Sequence, residues 1–500
     1  MLNRNDWPEA GVRFKSDNVE LAERMDALMM LCRNNVKEFL PGIPVLVEGG
    51  GYSRIYLEPQ PMGGQAYARI DVRPGLNNQL MFLLKQRSDG RLPGAVIPRT
   101  RVEKETNPST FMWSDAETAE YDLVADFGQL QGNALPYQAF LHYFRAGRPT
   151  GYLEALANGI QAFDEYLWRT RDPDGEGVLQ SWAIWDTGED NCTRFHASPN
   201  RWPHDYPPSG ENTPDRHNPE DEEKYYLWFH GEVVEDRVAV PFRSMDMMAY
   251  SVENRMVMAM ISDELDDGQG DYWRDKADEV RTNFTKALWR PERGAAYDRD
   301  RDNNWMDVLI HNNLRCMYYK LFSPEQAREF VERHLFNPNE FFTPMPLPSI
   351  AANEPLFRND PNNNWSGAPQ CLTWQRLTRA LENYGFYAEW TRLARMYIKA
   401  VCTIKCFTQQ FDTFEFGSLP EAGKSHRRDG YGPSMLTFLD YVSRLYGVNL
   451  ECDNVYWTGL SDAGHEHSYT QHFDGSDFTL KHGSNGIEAS INDRKIFSAS

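Results

Sequence analysis

Apolar positions recur at helical spacing along most of this chain. Leu153, Leu156, Ile160, Phe163 and Leu167 repeat at i, i+3, i+4 and i+7, as do Met245, Met248, Val252, Met256 and Met260. Ser323-Pro324-Glu325-Gln326 predicts a helix start with a capping serine, a proline at N1 and a reciprocating glutamine at N3. Gly385, after Leu381-Glu382-Asn383-Tyr384, predicts a helix stop. Such stretches predict about a dozen helices between residues 18 and 446, joined by loops of uneven length. Strands and helices do not alternate, which argues against a TIM barrel or a Rossmann fold. Paired helices with long loops at one end fit an all-α (α/α)6 barrel.

Two regions depart from the helical period. Ile43–Tyr52 reads as a short strand or extended entry loop with a glycine run at its end. The tail carries short β-prone pieces, Phe478–Leu480 and Ile487–Ile491, with turn residues between them. The expected division is a barrel over residues 1–456 and a small β-rich tail over 457–500 packed on it. The acidic, proline-rich stretch Asn200–Lys224 interrupts the pattern, and Trp202, His204 and Tyr206 within it favour a lid over a disordered segment.

Composition narrows the function. With 41% hydrophobic residues the 500-residue chain can bury a large core, while 14 Trp and 24 Tyr favour a sugar-binding surface. The net charge, 52 − 73 = −21, argues against nucleic acid and anionic membranes as partners. Seven scattered cysteines read as free thiols, and Met1–Asp6 lacks the apolar core of a signal peptide, so a cytoplasmic location is expected. A homo-oligomer is compatible with the sequence. Asp172–Gly177 and Asp298–Asp302 lack the glycine and terminal glutamate of a calcium loop and read as turns. No His/Cys spacing suits zinc, and neither a serine-hydrolase elbow nor a phosphate loop is present.

Two segments carry candidate chemistry: Ser181–Asn191, which contains Trp182, Trp185, Asp186, Glu189 and Asp190, and Phe414–Gly423, which contains Glu415 and Glu421. Each sets carboxylates among aromatic residues and glycines. Glycosidic hydrolysis needs one carboxylic acid to protonate the leaving oxygen and a carboxylate to activate water, while aromatic rings stack on the C–H faces of sugars. Residue chemistry alone leaves Asp186, Glu189 and Asp190 as candidate acids. Glu421 follows a proline in the more exposed half of its loop, so Glu415 is the better base. Trp113, Trp185 and Trp365 are candidates for sugar stacking or for core packing. Gln370 could hydrogen-bond sugar hydroxyls or cap a helix. Glu58 and Gln60 lie in a Glu58–Gly64 segment that reads as too rigid and polar to be core, and its two glycines permit close approach to a ligand. Arg428, with His426 and Arg427, forms the compact basic cluster near the second segment.

Trp185-Asp186-Thr187-Gly188-Glu189-Asp190-Asn191 resembles the W-[DE]-[ST]-G-x-D-[ND] stretch of family 63 glycoside hydrolases and, more distantly, trehalases. Glu415 matches the family's E-Y-[YF]-x-P-x-T-G segment, with Leu419 as an extra residue and Ala422 in place of Thr. Pro348-Ser349 followed by Trp365-Ser366-Gly367 is similar to a third family run, in which Gln370 replaces a tryptophan. The resemblance covers about residues 110–450 in order. It implies an (α/α)6 barrel, Asp190 as general acid and Glu415 as general base in an inverting α-glycosidase that needs no cofactor. Glu58–Gly64 departs from the family's tryptophan-rich sugar loop. Two further readings fit the same barrel: a uronate lyase or epimerase with a Tyr/His pair, and a sugar-binding barrel without catalysis.

Overall fold

The computed structural model describes residues 6–102, 113–114, 122–127, 130–182, 184–189, 192–196, 202–203, 237–238, 242–300, 302–359, 365–419, 429–459, 464–484 and 486–499. Twelve helices of seven residues or more are described: α1 (Val19–Asn34), α2 (Pro59–Tyr67), α3 (Val72–Leu84), α4 (Leu135–Arg145), α5 (Tyr152–Arg171), α6 (Met245–Leu265), α7 (Gly270–Leu288), α8 (Asn312–Tyr318), α9 (Pro324–Phe330), α10 (Cys371–Glu382), α11 (Tyr387–Ile404) and α12 (Gly432–Tyr446). The even-numbered helices close a ring: α2 packs on α4, α4 on α6, α6 on α8, α8 on α10, α10 on α12, and α12 on α2. Odd-numbered helices lie outside it, with α3 against α2, α5 against α6, α7 against α6 and α11 against α10.

The expected periodicity explains this layering. Leu153, Leu156, Ile160, Phe163 and Leu167 are all buried on one face of α5. Each such side chain contributes about 1.5–3 kcal/mol of transfer free energy. The ring helix α6 is buried on nearly every side along its first three turns, as expected for a helix enclosed by neighbours. The capping box at Ser323 is formed in both directions. Gly385 has φ +77° and its N–H bonds the carbonyl of Glu382, so the stop is left-handed as its sequence requires.

The Ile43–Leu46 stretch is a strand, paired antiparallel with Val36–Leu40. The longer strands elsewhere are β1 (Ala10–Ser16), β2 (Gly447–Glu451), β3 (Asn454–Gly459), β4 (His467–Phe473), β5 (Ser476–Gly483), β6 (Gly486–Ile491) and β7 (Arg494–Ala499). Five of them form one sheet in the order β1-β4-β5-β6-β7, in which Ala10 pairs with Phe473 and Ser16 with His467. The chain's first strand thus forms one edge of its last sheet. The alternation Val12, Phe14 was too short to stand out beside the helical signal. The sheet packs on the C-terminal end of α12: the Tyr469 ring fills the space above Gly447, and Gln471 Nε2 donates to the carbonyl of Arg69.

Candidate active site

The N-terminal ends of the ring helices α2, α6, α8 and α10 gather the polar residues of one buried cluster. The connection from α5 to α6 enters this cluster through a one-turn helix, Ile184–Thr187. Asp186 closes the turn by accepting from the Trp182 N–H at 2.8 Å, with Arg171 at 3.9 Å on its other side. Arg171 also lies 4.0 Å from the centre of the Trp182 ring. Gly188 follows at φ +74°, and a Cβ there would fall 2.2 Å from Glu58 Oε2, so only glycine fits. That turn delivers Glu189 into the ring interior.

Glu189 is fully buried. Its carboxylate takes Arg194 at 2.7 Å, His311 Nε2 at 2.6 Å and Asn312 Nδ2 at 3.1 Å, with Arg315 at 3.9 Å. Arg194 also pairs with Asp246 at 3.2 Å and Asp298 at 3.1 Å. Arg315 reaches Asp246 at 3.6 Å and Glu58 at 3.7 Å, and Glu58 pairs with Arg376 as well. Burial disfavours charge on Glu189, but Arg194, Arg315 and the His311 bond outweigh it and hold the carboxyl well below its ordinary range. Asp298 goes the other way: burial, with Asp246 alongside, pushes it up to about 7 despite Arg194. A proton on Asp298 leaves three carboxylates, Glu58, Glu189 and Asp246, against three guanidiniums, Arg194, Arg315 and Arg376. The buried cage then balances.

Burial lowers the pKa of His311, with the Glu189 bond opposing. The neutral ring donates Nε2–H to Glu189 and accepts the Thr373 hydroxyl at Nδ1, 2.7 Å away. Trp365 lies over this cluster, buried, with its ring 5.8 Å from His311 and from the Arg315 guanidinium. Gln370 occupies the N-cap position of α10, and its amide donates to Gln410 at 3.3 Å instead of capping the helix.

Two neighbouring residues, Ser366 and Gly367, tie down the chain just after the first segment singled out in the sequence and just before the second. Thr193 N–H donates to Ser366 Oγ at 2.8 Å, three residues beyond position 190. Thr413 Oγ1 donates to the carbonyl of Gly367 at 2.8 Å, two residues before Glu415. Glu415 itself sits on an exposed turn closed by Asp412, whose carboxylate accepts the N–H groups of Phe414 and Glu415 at 2.8 and 2.9 Å.

The other expected site residues fall as follows. Asp190, Arg428 and Glu421 lie outside the described residues, as does the Asn200–Lys224 stretch except Trp202–Pro203. Trp113 and Trp185 are placed in a two-residue strand and in the one-turn helix. Glu58–Gly64 is not a polar wall: it forms the start of α2 and is buried throughout, because Arg376 and Arg315 neutralise Glu58 and Gln60 accepts the Tyr56 N–H. Sequence reasoning missed Arg194, His311, Arg315, Arg376, Asp246 and Asp298. A signal for two of them was polar residues inside apolar runs, Asp246 beside Met245 and Met247, and Arg315 between Leu314 and Cys316.

The mannosylglycerate hydrolase MGH1-like glycoside hydrolase domain matches residues 66–415. The chain belongs to this family. It is a glycoside hydrolase. No curated protein matches the sequence. Among solved structures it is similar to the GH63 mannosylglycerate hydrolase of Thermus thermophilus in complex with glucose, at 16% identity over 84% of this chain and 100% of that one, with a TM-score of 0.63. It also resembles the neutral trehalase Nth1 of Saccharomyces cerevisiae, at 13% identity over 83% and 79% of the two chains (TM-score 0.54). A Streptomyces avermitilis α-L-rhamnosidase covers 97% of this chain with 38% of its own, at 11% identity and a TM-score of 0.54. These likenesses share a helix-rich fold with the family. No helix among the described residues is long and apolar enough to cross a membrane.

Proposed function

We propose that this enzyme is an inverting α-glycosidase on an (α/α)6 barrel, with Asp190 as general acid and Glu415 as general base. The observation that carries the reading is the shared anchor at Ser366 and Gly367, which holds the segment after Asp190 and the segment before Glu415 at adjacent residues. In this reading two carboxylates from separate loops serve one anomeric carbon from its opposite sides. Inversion requires about 6.5–9.5 Å between them so that water fits under the base. Asp186 and Glu189 do not serve, because each is buried and already paired with a cation.

The substrate is a small α-glucoside, α-mannoside or oligosaccharide fragment in the cytoplasm, bound without a cofactor, with Trp185 and Trp365 on the sugar side. Arg428 would meet a charged aglycone such as the glycerate of mannosylglycerate. The barrel takes residues 1–456, and the tail from 457 packs on it. The Asn200–Lys224 stretch serves as a lid. In support, Arg237–Val238 pairs with Trp202–Pro203 and lies against the Thr193–His196 turn.

The test is an assay against α-linked disaccharides, nitrophenyl glycosides and mannosylglycerate, with proton NMR of the first product. A β-anomer released from an α-linked substrate is expected. An α-anomer, or a covalent glycosyl–enzyme adduct, refutes the mechanism.

A further inference from the structure

The opposite end of the helix ring holds a second feature. A cavity of about 650 Å³ opens there, lined by residues of α2, α4, α8, α10, α11 and α12 and by β2 and β3. It is not an extension of the site above. None of its lining residues belongs to the charged cage, and on α10 the lining runs from Gln375 to Glu382, about 3 to 13 Å along the helix axis beyond Thr373, which bonds His311. The Glu58–Arg376 pair and the packed rings of Tyr250 and Tyr319 are buried and lie outside the cavity's lining.

The lining favours a particular ligand chemistry. Its ionisable groups balance, with Lys320, Arg379 and Arg444 against Glu382, Asp440 and Glu451. Most are already spent within the protein. Arg379 grips both oxygens of Glu253 at 3.0 and 3.1 Å, and Arg444 grips Glu382 and Asp440. Glu451 accepts the Tyr137 hydroxyl at 2.9 Å. An ionic ligand would find little unpaired charge. By contrast, Gln375 lines the cavity, and its amide nitrogen and oxygen are buried beside it without a protein partner. A buried amide in that state seeks one acceptor and one donor from whatever fills the space, which is what a hydroxyl pair offers. At the cavity, Tyr387 and Tyr456 stand 61% and 50% exposed, far more than packing requires of aromatic rings. Such rings stack on the C–H faces of a sugar or polyol. The volume falls within the range of small-molecule sites, about 300–1,000 Å³.

We propose that this cavity is a second, non-catalytic binding site for an uncharged sugar or polyol. Gln375 reads its hydroxyls, and Tyr387 and Tyr456 cover its apolar face. The test is calorimetric titration of the full chain carrying Asp190→Asn with glycerol, glucose and maltose as probes. A binding event is expected for at least one probe, and its affinity should fall about tenfold in Gln375→Leu and in the Tyr387→Ala/Tyr456→Ala pair. The tyrosine pair is exposed, so its loss leaves the fold intact even if Gln375→Leu does not. In the otherwise wild-type chain, the tyrosine pair should leave hydrolysis of the best substrate at saturation unchanged. The proposal is overturned if no probe binds, or if every binding event is indifferent to the tyrosine pair. The readout is binding, so a failure of the hydrolytic reading would not disturb it.

Discussion

The two segments that flank the proposed chemistry are held by opposite means. The strap from Trp182 to Arg194 is clamped by charge: Asp186 against Arg171, and Glu189 in a cage with Arg194, Arg315 and His311, all without solvent access. The loop from Asp412 to Leu419 is held with no ion pair among the described residues, by a threonine hydroxyl on a carbonyl and by backbone N–H groups on the half-buried Asp412. A general acid needs fixed surroundings that can keep its proton on, whereas a base must face water. The contrast suits an acid on the clamped strap and a base on the exposed turn.

The sharpest way to break this comparison is to remove each carboxylate in turn. Asp190→Asn should lower turnover by at least about a thousandfold, since a carboxamide cannot deliver a proton, while thermal stability stays within about 1 kcal/mol. Glu415→Gln should lose hydrolysis to a similar degree and keep substrate binding, read by calorimetry. Wild-type turnover in either variant removes that residue from the mechanism. Should Glu415→Gln stay active while Asp190→Asn is dead, Glu421 becomes the next replacement to test.

The clamp itself supplies the next largest effect. Arg194→Met leaves Glu189, Asp246 and Asp298 facing one another without their shared cation. Breaking a buried pair of this kind costs about 3–5 kcal/mol. The expected outcome is a large fall in melting temperature together with loss of activity. A variant that unfolds no earlier than wild type would show that the cage is not what holds the strap.

Little of that cage could be read from the sequence, and the reason is physical. Helix periodicity was legible because each helix buries its own stripe, so the signal is local: the α5 and Ser323 expectations are both realised. The cage draws one to three residues each from the strap, the starts of α2, α6, α8 and α10 and the turn at Asp298, and one or two charges in a segment look like a solvated face. Glu58 illustrates the point. It looked too polar for a core, and its partners lie 257 (Arg315) and 318 (Arg376) residues away along the chain. The sheet's first strand was hidden for the same reason, because Ala10–Ser16 finds its partner more than 450 residues downstream.

Asp298 offers a finer probe, through pH. Its folded pKa is raised from 3.8 to about 7, so the folded state holds a proton that the unfolded chain releases between those values. Its contribution to stability is therefore full below about pH 4 and is lost as pH rises through about 7. Asn mimics the protonated form and does not titrate. Asp298→Asn should gain on wild type by up to about 1 kcal/mol per pH unit between pH 4 and 7, levelling off above. Parallel stability curves for the two proteins across that window would mean that the cage carries no resident proton.

The smallest effect expected tests the other side of the comparison. Asp412 is half-buried, and its carboxylate closes the turn that presents Glu415 through two N–H bonds. Asp412→Ala removes both bonds where water can replace them, so stability should fall by only about 1 kcal/mol. The turn, however, has no charge clamp to fall back on. Its remaining fastenings are neutral, among them the Thr413 hydroxyl on Gly367, the Ser418 N–H on the Glu415 carbonyl, the Asp412 N–H on the Ser418 carbonyl and the Met345 N–H on the Thr413 carbonyl. A base displaced by an ångström loses its alignment with water and anomeric carbon, at a cost of up to about a hundredfold in rate. The expected signature is a fall in turnover of tenfold or more with an almost unchanged melting temperature and unchanged substrate affinity. The reverse ratio, lost stability with full turnover, would mean that the Asp412 turn only braces the fold and that the base stands elsewhere.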